Sequence, residues 1–215
     1  MDPSLYLVFL TAVFILVATP GPSVMLGVSH SLQFGWRRVM ATAAGDVTAN
    51  VLQMGLALIG FGAVLAASTT AFSLLKAAGV AYLVYLGIKT FRAPPPRLST
   101  VALEPAAHRS SASLFWQGFG VAATNPKAIA FYAAFFPQFI DPTQPVLQQF
   151  ALLATTCVVV DYVGVVAYAW LAQQGGRALD RSGRLVWINR IAGCALVLAA
   201  GLVVLIRQDG LPAKP

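Results

Sequence analysis

The chain has 215 residues, of which 58% are hydrophobic and only 10% charged, with a net charge of +7. Ordinary globular chains carry roughly 25% charged residues, so there is too little charge here to cover a water-facing surface. The positive balance alone would suggest nucleic-acid binding, but the cations sit in short connections between apolar runs, which is the pattern of cytoplasmic loops.

Six apolar runs, over 4–28, 39–66, 70–91, 113–137, 146–173 and 186–206, read as spanning helices. A helix needs about 20 residues to cross about 30 Å of hydrocarbon. The first run follows an acid, Asp2, and no Lys or Arg precedes Arg37. It therefore lacks the basic n-region of a cleaved signal peptide and is expected to span. Thr19-Pro20-Gly21-Pro22-Ser23 interrupts it. Two prolines and a glycine in five residues do not fit an undisturbed helix, since each proline removes a donor and clashes with the preceding turn. Inside hydrocarbon such a break is tolerable only where the freed backbone is buried in protein or lines a wet cavity.

The second run carries an acid, Asp46. With Thr42, Asn50 and Gln53 it falls within an arc of about 80° at 100° per residue, one polar stripe. The glycines Gly55, Gly60 and Gly62 of this run, and Gly79 and Gly87 of the third, are expected at close helix contacts. The segment 92–112 follows, with Pro94-Pro95-Pro96 and then Arg97, Ser99, Thr100, Glu104, Pro105, His108 and Arg109. It reads as a cytoplasmic linker between a first three-helix repeat, 1–91, and a second, 113–215, within one transporter domain.

The fourth run breaks at Thr124-Asn125-Pro126-Lys127-Ala128. Thr19 and Asn125 are expected to cap the restarted helices, with Pro20 and Pro126 at their first positions. The half-helix N-termini so formed suit a carboxylate; the alternative is a pair of kinks that merely shape the bundle. The fifth run holds Asp161, on one face with Cys157, Gly164 and Tyr168. An intramembrane acid is functional by default, and the two acid-bearing stripes are expected to face each other. Lys127, the cation placed in a helix break, is the expected countercharge, either as a structural ion pair or beside aspartates that exchange protons as substrate passes. Trp36, Trp116, Trp170 and Trp187 lie near run ends, as interfacial anchors do.

Lys76-Ala77-Ala78-Gly79 aligns with Arg190-Ile191-Ala192-Gly193 at a shift of 114 residues, and Asp46 with Asp161 at 115. The two broken runs then correspond. Three spans per half is an odd number, so the halves are expected to be inverted, an all-α transporter architecture with the first helix of each repeat broken at a Pro motif. Arg37, Arg38, Lys89, Arg92, Arg97, Arg109, Arg177, Arg181 and Arg184 fall on one side and Arg207 and Lys214 on the other, nine against two. That bias puts both termini outside.

Cys157 and Cys194 lie in apolar runs without CxxC or Cys/His spacing, so no disulfide, metal or other cofactor is expected. Grouping Ser23, His30 and Asp46 as a hydrolytic constellation finds no GxSxG elbow and no oxyanion arrangement, so no enzyme is expected either.

The ATPGPSVM break, Gly45-Asp46, the TNPKA break and Asp161 together resemble the lysine exporter superfamily, in particular its threonine, homoserine and leucine export branch. The resemblance covers residues from about 5 to 206. It implies efflux of amino acids or close derivatives across the bacterial inner membrane, driven by protons, with a homo-oligomer left open. By motif position it points to Pro20, Gly21, Pro22, Asp46, Asn125, Pro126, Lys127 and Asp161; Thr19 and Asn50 join them from the stripe and cap readings. Only two intramembrane acids exist, which favours a neutral amino acid over a basic one, and a cadmium exporter would show more thiol or imidazole ligands. A passive facilitator with the same bundle and an exporter of basic amino acids are the alternatives.

Overall fold

The computed structural model describes residues 3–93, 109–141, 143–181, 190–191, 193–194, 197–198 and 200–201. Every regular element among them is helical: α1 (Pro3–Ala18), α2 (Pro22–Phe34), α3 (Trp36–Ala67), α4 (Thr69–Arg92), α5 (Ser111–Ala123), α6 (Pro126–Ala130) and α7 (Val146–Arg181). A π-helical turn, Phe131–Phe135, and a 3₁₀ turn, Phe136–Phe139, continue α6. The described residues between 190 and 201 are also helical. Most of the proline-rich linker, 94–108, and Trp187 lie outside the described residues.

By length and composition, Trp36–Val64 and Val146–Gln174 can each cross a membrane alone. The pair α1 and α2, bent by 50° at the break, makes a third candidate. The polypeptide is helical where the third and fourth runs were expected to span, but with different bounds. The helix of the second run, α3, starts at Trp36, because Gly35 adopts φ +86°, a conformation that L side chains rarely take. The fourth run is split into a two-part helix that loosens into the π turn just past its break.

Two clusters hold the bundle. In one, Phe9 of α1 meets Phe135, Phe136 and Phe139, with ring centroids 5.0 Å from Phe139 and 6.5 Å from Phe135. All four rings are 0 to 1% exposed, and offset or edge-on aromatic pairs of this kind add about 0.5–1.5 kcal/mol each beyond burial. The other cluster, around Val28, Val39 and Val165, joins α2, α3 and α7.

The closest helix contact is between α3 and α5. A Cβ on Gly118 would collide with the Thr42 carbonyl, and one on Gly45 with the Phe115 carbonyl. Glycines packed against backbone thus include Gly45 and Gly118, together with Gly87 and Gly193, which face each other's carbonyls. Gly55, Gly60 and Gly62, expected in that role, meet nothing within 4 Å among the described residues. Spacing along one helix cannot say which of its faces a neighbour covers. Gly118→Val is expected to lower the stability of the detergent-solubilised protein by about 3 kcal/mol or more, because backbone cannot rotate out of the way. Gly120→Val, two residues on and open on all sides, is the control and should leave the melting temperature near wild type.

Candidate functional site

Breaking α1 at Ala18 leaves its last carbonyls without helical partners, a costly condition away from water. Side chains from elsewhere satisfy them. The Lys127 ammonium donates to the carbonyls of Leu16 and Thr19, both at 2.6 Å. Tyr168 of α7 donates its hydroxyl to the Ala18 carbonyl at 2.7 Å, and Thr19 closes back on Ile15 at 2.9 Å. A cation at a helix C-terminus is also favoured by the macrodipole. At the other break, Gln53 of α3 donates to the carbonyls of Ala122 and Ala123, at 3.1 and 3.3 Å. Each interrupted helix is therefore closed by a side chain belonging to another element.

The restarted helices differ. Asn125 caps α6 as the sequence suggests, accepting the Lys127 amide at 3.1 Å with Pro126 at the first position. In the first break the register is shifted: Gly21, not Thr19, is the cap of α2, and Pro22, not Pro20, takes the first position. Thr19 instead ends α1. Gly21 has no side chain to cap with, so the first amides of α2 have no side-chain partner from it. Asn125 reaches across to the Ser23 hydroxyl at 3.4 Å, linking the two breaks.

Asp46 and Asn50 on α3 are 2% and 5% exposed. The Asn50 amide donates to both acids, to Asp161 Oδ2 at 2.7 Å and to Asp46 Oδ2 at 3.2 Å. Two carboxyl groups from α3 and α7 thus share one amide. Asp46 Oδ1 is buried without a hydrogen-bond partner among the described residues. The Lys127 ammonium directs its hydrogen bonds to α1 while interacting electrostatically with both acids. It still lines the same small cavity, about 30 Å³, with Asp46, Asp161, Asn50, Ser23 and Gly21. That is about the volume of one water molecule.

Through Gly21, Asn125 and Lys127 this polar cavity adjoins a larger one of about 320 Å³. Thr19, Pro20 and Pro22 line it on one side, and Tyr82, Leu86, Lys89 and Thr90 of α4 on the other. Small-molecule sites begin at about this volume. The structure therefore brings together Thr19, Pro20, Gly21, Pro22, Asn125, Pro126 and Lys127 around one cavity and Asp46, Asn50 and Asp161 around its polar recess. The α4 wall carries no sequence signal of its own, because Tyr82, Leu86 and Thr90 look like ordinary residues of an apolar helix. Of the expected stripe on α7, Tyr168 serves α1, and Cys157 is buried in the aromatic core. No cluster of potential metal ligands occurs among the described residues.

A model of the LysE type translocator family matches residues 14–207. The chain is 35% identical over 195 residues to a homoserine/homoserine lactone efflux protein of Salmonella typhimurium, covering 90% of this chain and 93% of the relative. It is 34% identical over 210 residues to an uncharacterized membrane protein of Vibrio cholerae, covering 93% and 98%. A leucine efflux protein of Salmonella choleraesuis is 30% identical over 158 residues, covering 73% and 74%. No solved structure matches.

Proposed function

The chain belongs to the LysE type translocator family, and from that premise we propose that it exports neutral amino acids or close derivatives from the bacterial cytoplasm in exchange for protons. The observation that carries this reading is the pair Asp46 and Asp161, joined by Asn50 inside an apolar bundle and set beside two broken helices. Its walls carry opposite signs: two carboxyl groups on one side, and Lys127 with the uncapped start of α2 on the other. The charges suit a zwitterion, ammonium toward the acids and carboxylate toward Gly21 and Lys127, for which the water-sized recess must widen. Its side chain then lies in the larger cavity, between the first break and Leu86 of α4.

The cargoes in the relatives' names support an uncharged side chain. Homoserine, its lactone and leucine all carry an α-ammonium, and the lactone lacks a free carboxylate. The ammonium is their shared charged handle. Proton and ammonium then compete for the same acids, and that competition is itself an exchange mechanism: a proton arriving from outside displaces the outgoing substrate.

In this reading six spans form two inverted sets of three, the basic connections face the cytoplasm and both termini lie outside. The larger cavity sits at the end of α4 that carries Lys89 and Arg92, while the Phe9, Phe135, Phe136 and Phe139 rings close the opposite end. Under that orientation the conformation is open inward and sealed outward.

Purified protein in vesicles loaded with a panel of radiolabelled amino acids tests the proposal. Efflux of neutral amino acids is expected to accelerate about tenfold when the receiving side is made acidic. A flux that persists unchanged after the pH gradient is dissipated indicates a passive facilitator, and preference for lysine or arginine indicates a basic amino-acid exporter.

A further inference from the structure

His30 takes no part in the site described so far, yet its placement is costly for a merely structural residue. It is 4% exposed on α2, and its Nδ1 lies 2.8 Å from the Thr42 hydroxyl of α3. Thr42 is 1% exposed and stands one helical turn from Asp46 on the same face. The Gln117 side chain of α5 also approaches the ring. A chain of polar groups therefore runs from the part-buried Asp161 through the buried Asn50, Asp46, Thr42 and His30 to the part-buried Gln117. It leads toward the end of the bundle where the Arg38 guanidinium donates to the Arg109 carbonyl at 2.7 Å.

Holding α2 in place does not require an imidazole. The neighbouring Ser31 already donates to the Ala169 carbonyl of α7 at 2.6 Å, and Val24 and Val28 pack on α3 and α7. What an imidazole adds is a ring that takes a proton on one nitrogen and gives one up from the other, in a titration range near neutrality. Histidines between intramembrane acids and a membrane surface are suited to proton relays. The charged groups facing the ring are Arg109, from the segment before α5, and, over the adjoining Phe34 ring, Arg38 of α3. The α7 residues at this level, Ala169 and Gln173, are uncharged.

We propose that His30, acting through the Thr42 hydroxyl, relays protons between Asp46 and the arginine-bearing end of the bundle. In each transfer the Asp46 carboxyl loses one proton, the Thr42 hydroxyl receives one as it passes its own to a ring nitrogen, and the opposite ring nitrogen releases one to water at the arginine-bearing end, after which reorientation of the ring and hydroxyl restores the starting tautomer. Where the i, i+4 spacing leaves Asp46 and Thr42 apart, one water completes the path. No net charge remains on Thr42 or His30 after a cycle. The inference rests on the proton-exchange reading above and adds a residue that handles the proton without touching the substrate.

Two fluxes in reconstituted vesicles separate a relay from a structural tether. Net efflux driven by a pH gradient needs proton release; equilibrium exchange of labelled for unlabelled amino acid, at equal pH on both sides, does not. His30→Gln, which keeps a hydrogen-bonding side chain, is expected to lower gradient-driven efflux about tenfold and to keep exchange within about twofold of wild type. Thr42→Val is expected to lower the same flux by a smaller factor and also to spare exchange. Gradient-driven efflux equal to wild type in His30→Gln would overturn the relay and leave the exchange reading standing. So would a parallel fall in both fluxes, which marks a tether. A wild-type protein indifferent to the pH gradient removes the proton-exchange reading and the relay with it.

Discussion

Asp161→Asn and Asp46→Asn are each expected to reduce gradient-driven export by about 100-fold, near the upper end of ordinary coupling between two ligands of one site. The change is nearly isosteric, and the Asn50 amide that donates to both acids can still donate to a carboxamide oxygen. Insertion and stability should therefore stay near wild type. What is lost is the negative charge for which proton and ammonium compete. Equilibrium exchange is expected to fall together with net export in both variants, because neither holds the ammonium. This separates them from His30→Gln, in which only net export falls. Asp161→Asn is expected to be the more severe, since Asp161 makes the shorter bond to Asn50, 2.7 against 3.2 Å. Export by either variant at the wild-type rate removes the acids from the mechanism.

The acids were legible in the sequence because hydrocarbon makes them conspicuous: Asp46 and Asp161 stand within long apolar runs, and helical periodicity alone puts Thr42, Asp46 and Asn50 on one face. The breaks were legible because proline chemistry is local. What periodicity does not carry is the partner across the bundle. Gln53 shares the stripe with Asp46 but turns to the end of α5, a bond that depends on where α5 breaks and how closely it crosses α3. The same close approach selects Gly45 and Gly118 over Gly55, Gly60 and Gly62. The cap register shifted from Thr19 to Gly21 because two prolines lie two residues apart: either fits a first helical position, and only packing of α1 against α7 and Lys127 decides where the upstream helix stops. The α4 wall and His30 were missed as site residues for a related reason. The α4 residues are ordinary in their own helix, His30 was weighed only as part of a hydrolytic constellation, and each acquires a role only from what the neighbouring helix places opposite it.

Lys127 closes a broken helix while sharing a cavity with the two acids whose countercharge it was expected to be, and its replacement should have two separable effects. An ammonium has three donors, and two go to Leu16 and Thr19. Lys127→Met keeps an unbranched apolar stem, one atom shorter, and removes all three. The two carbonyls then lose bonds worth about 1.5–3 kcal/mol each when made to a charged donor, so the melting temperature in detergent is expected to fall and export to drop about 100-fold. Loss of stability alone says nothing about substrate, and the third donor is tested by chemistry instead. If it and the start of α2 receive the carboxylate, wild-type protein is expected to bind a neutral amino acid about tenfold more tightly than its methyl ester, a difference of about 1.4 kcal/mol. In Lys127→Met, assayed at a temperature where the variant remains folded, that preference should shrink to about twofold or less. An unchanged acid-to-ester ratio would confine Lys127 to closing α1. It would leave the ammonium, held by Asp46 and Asp161, as the recognised charge of the substrate.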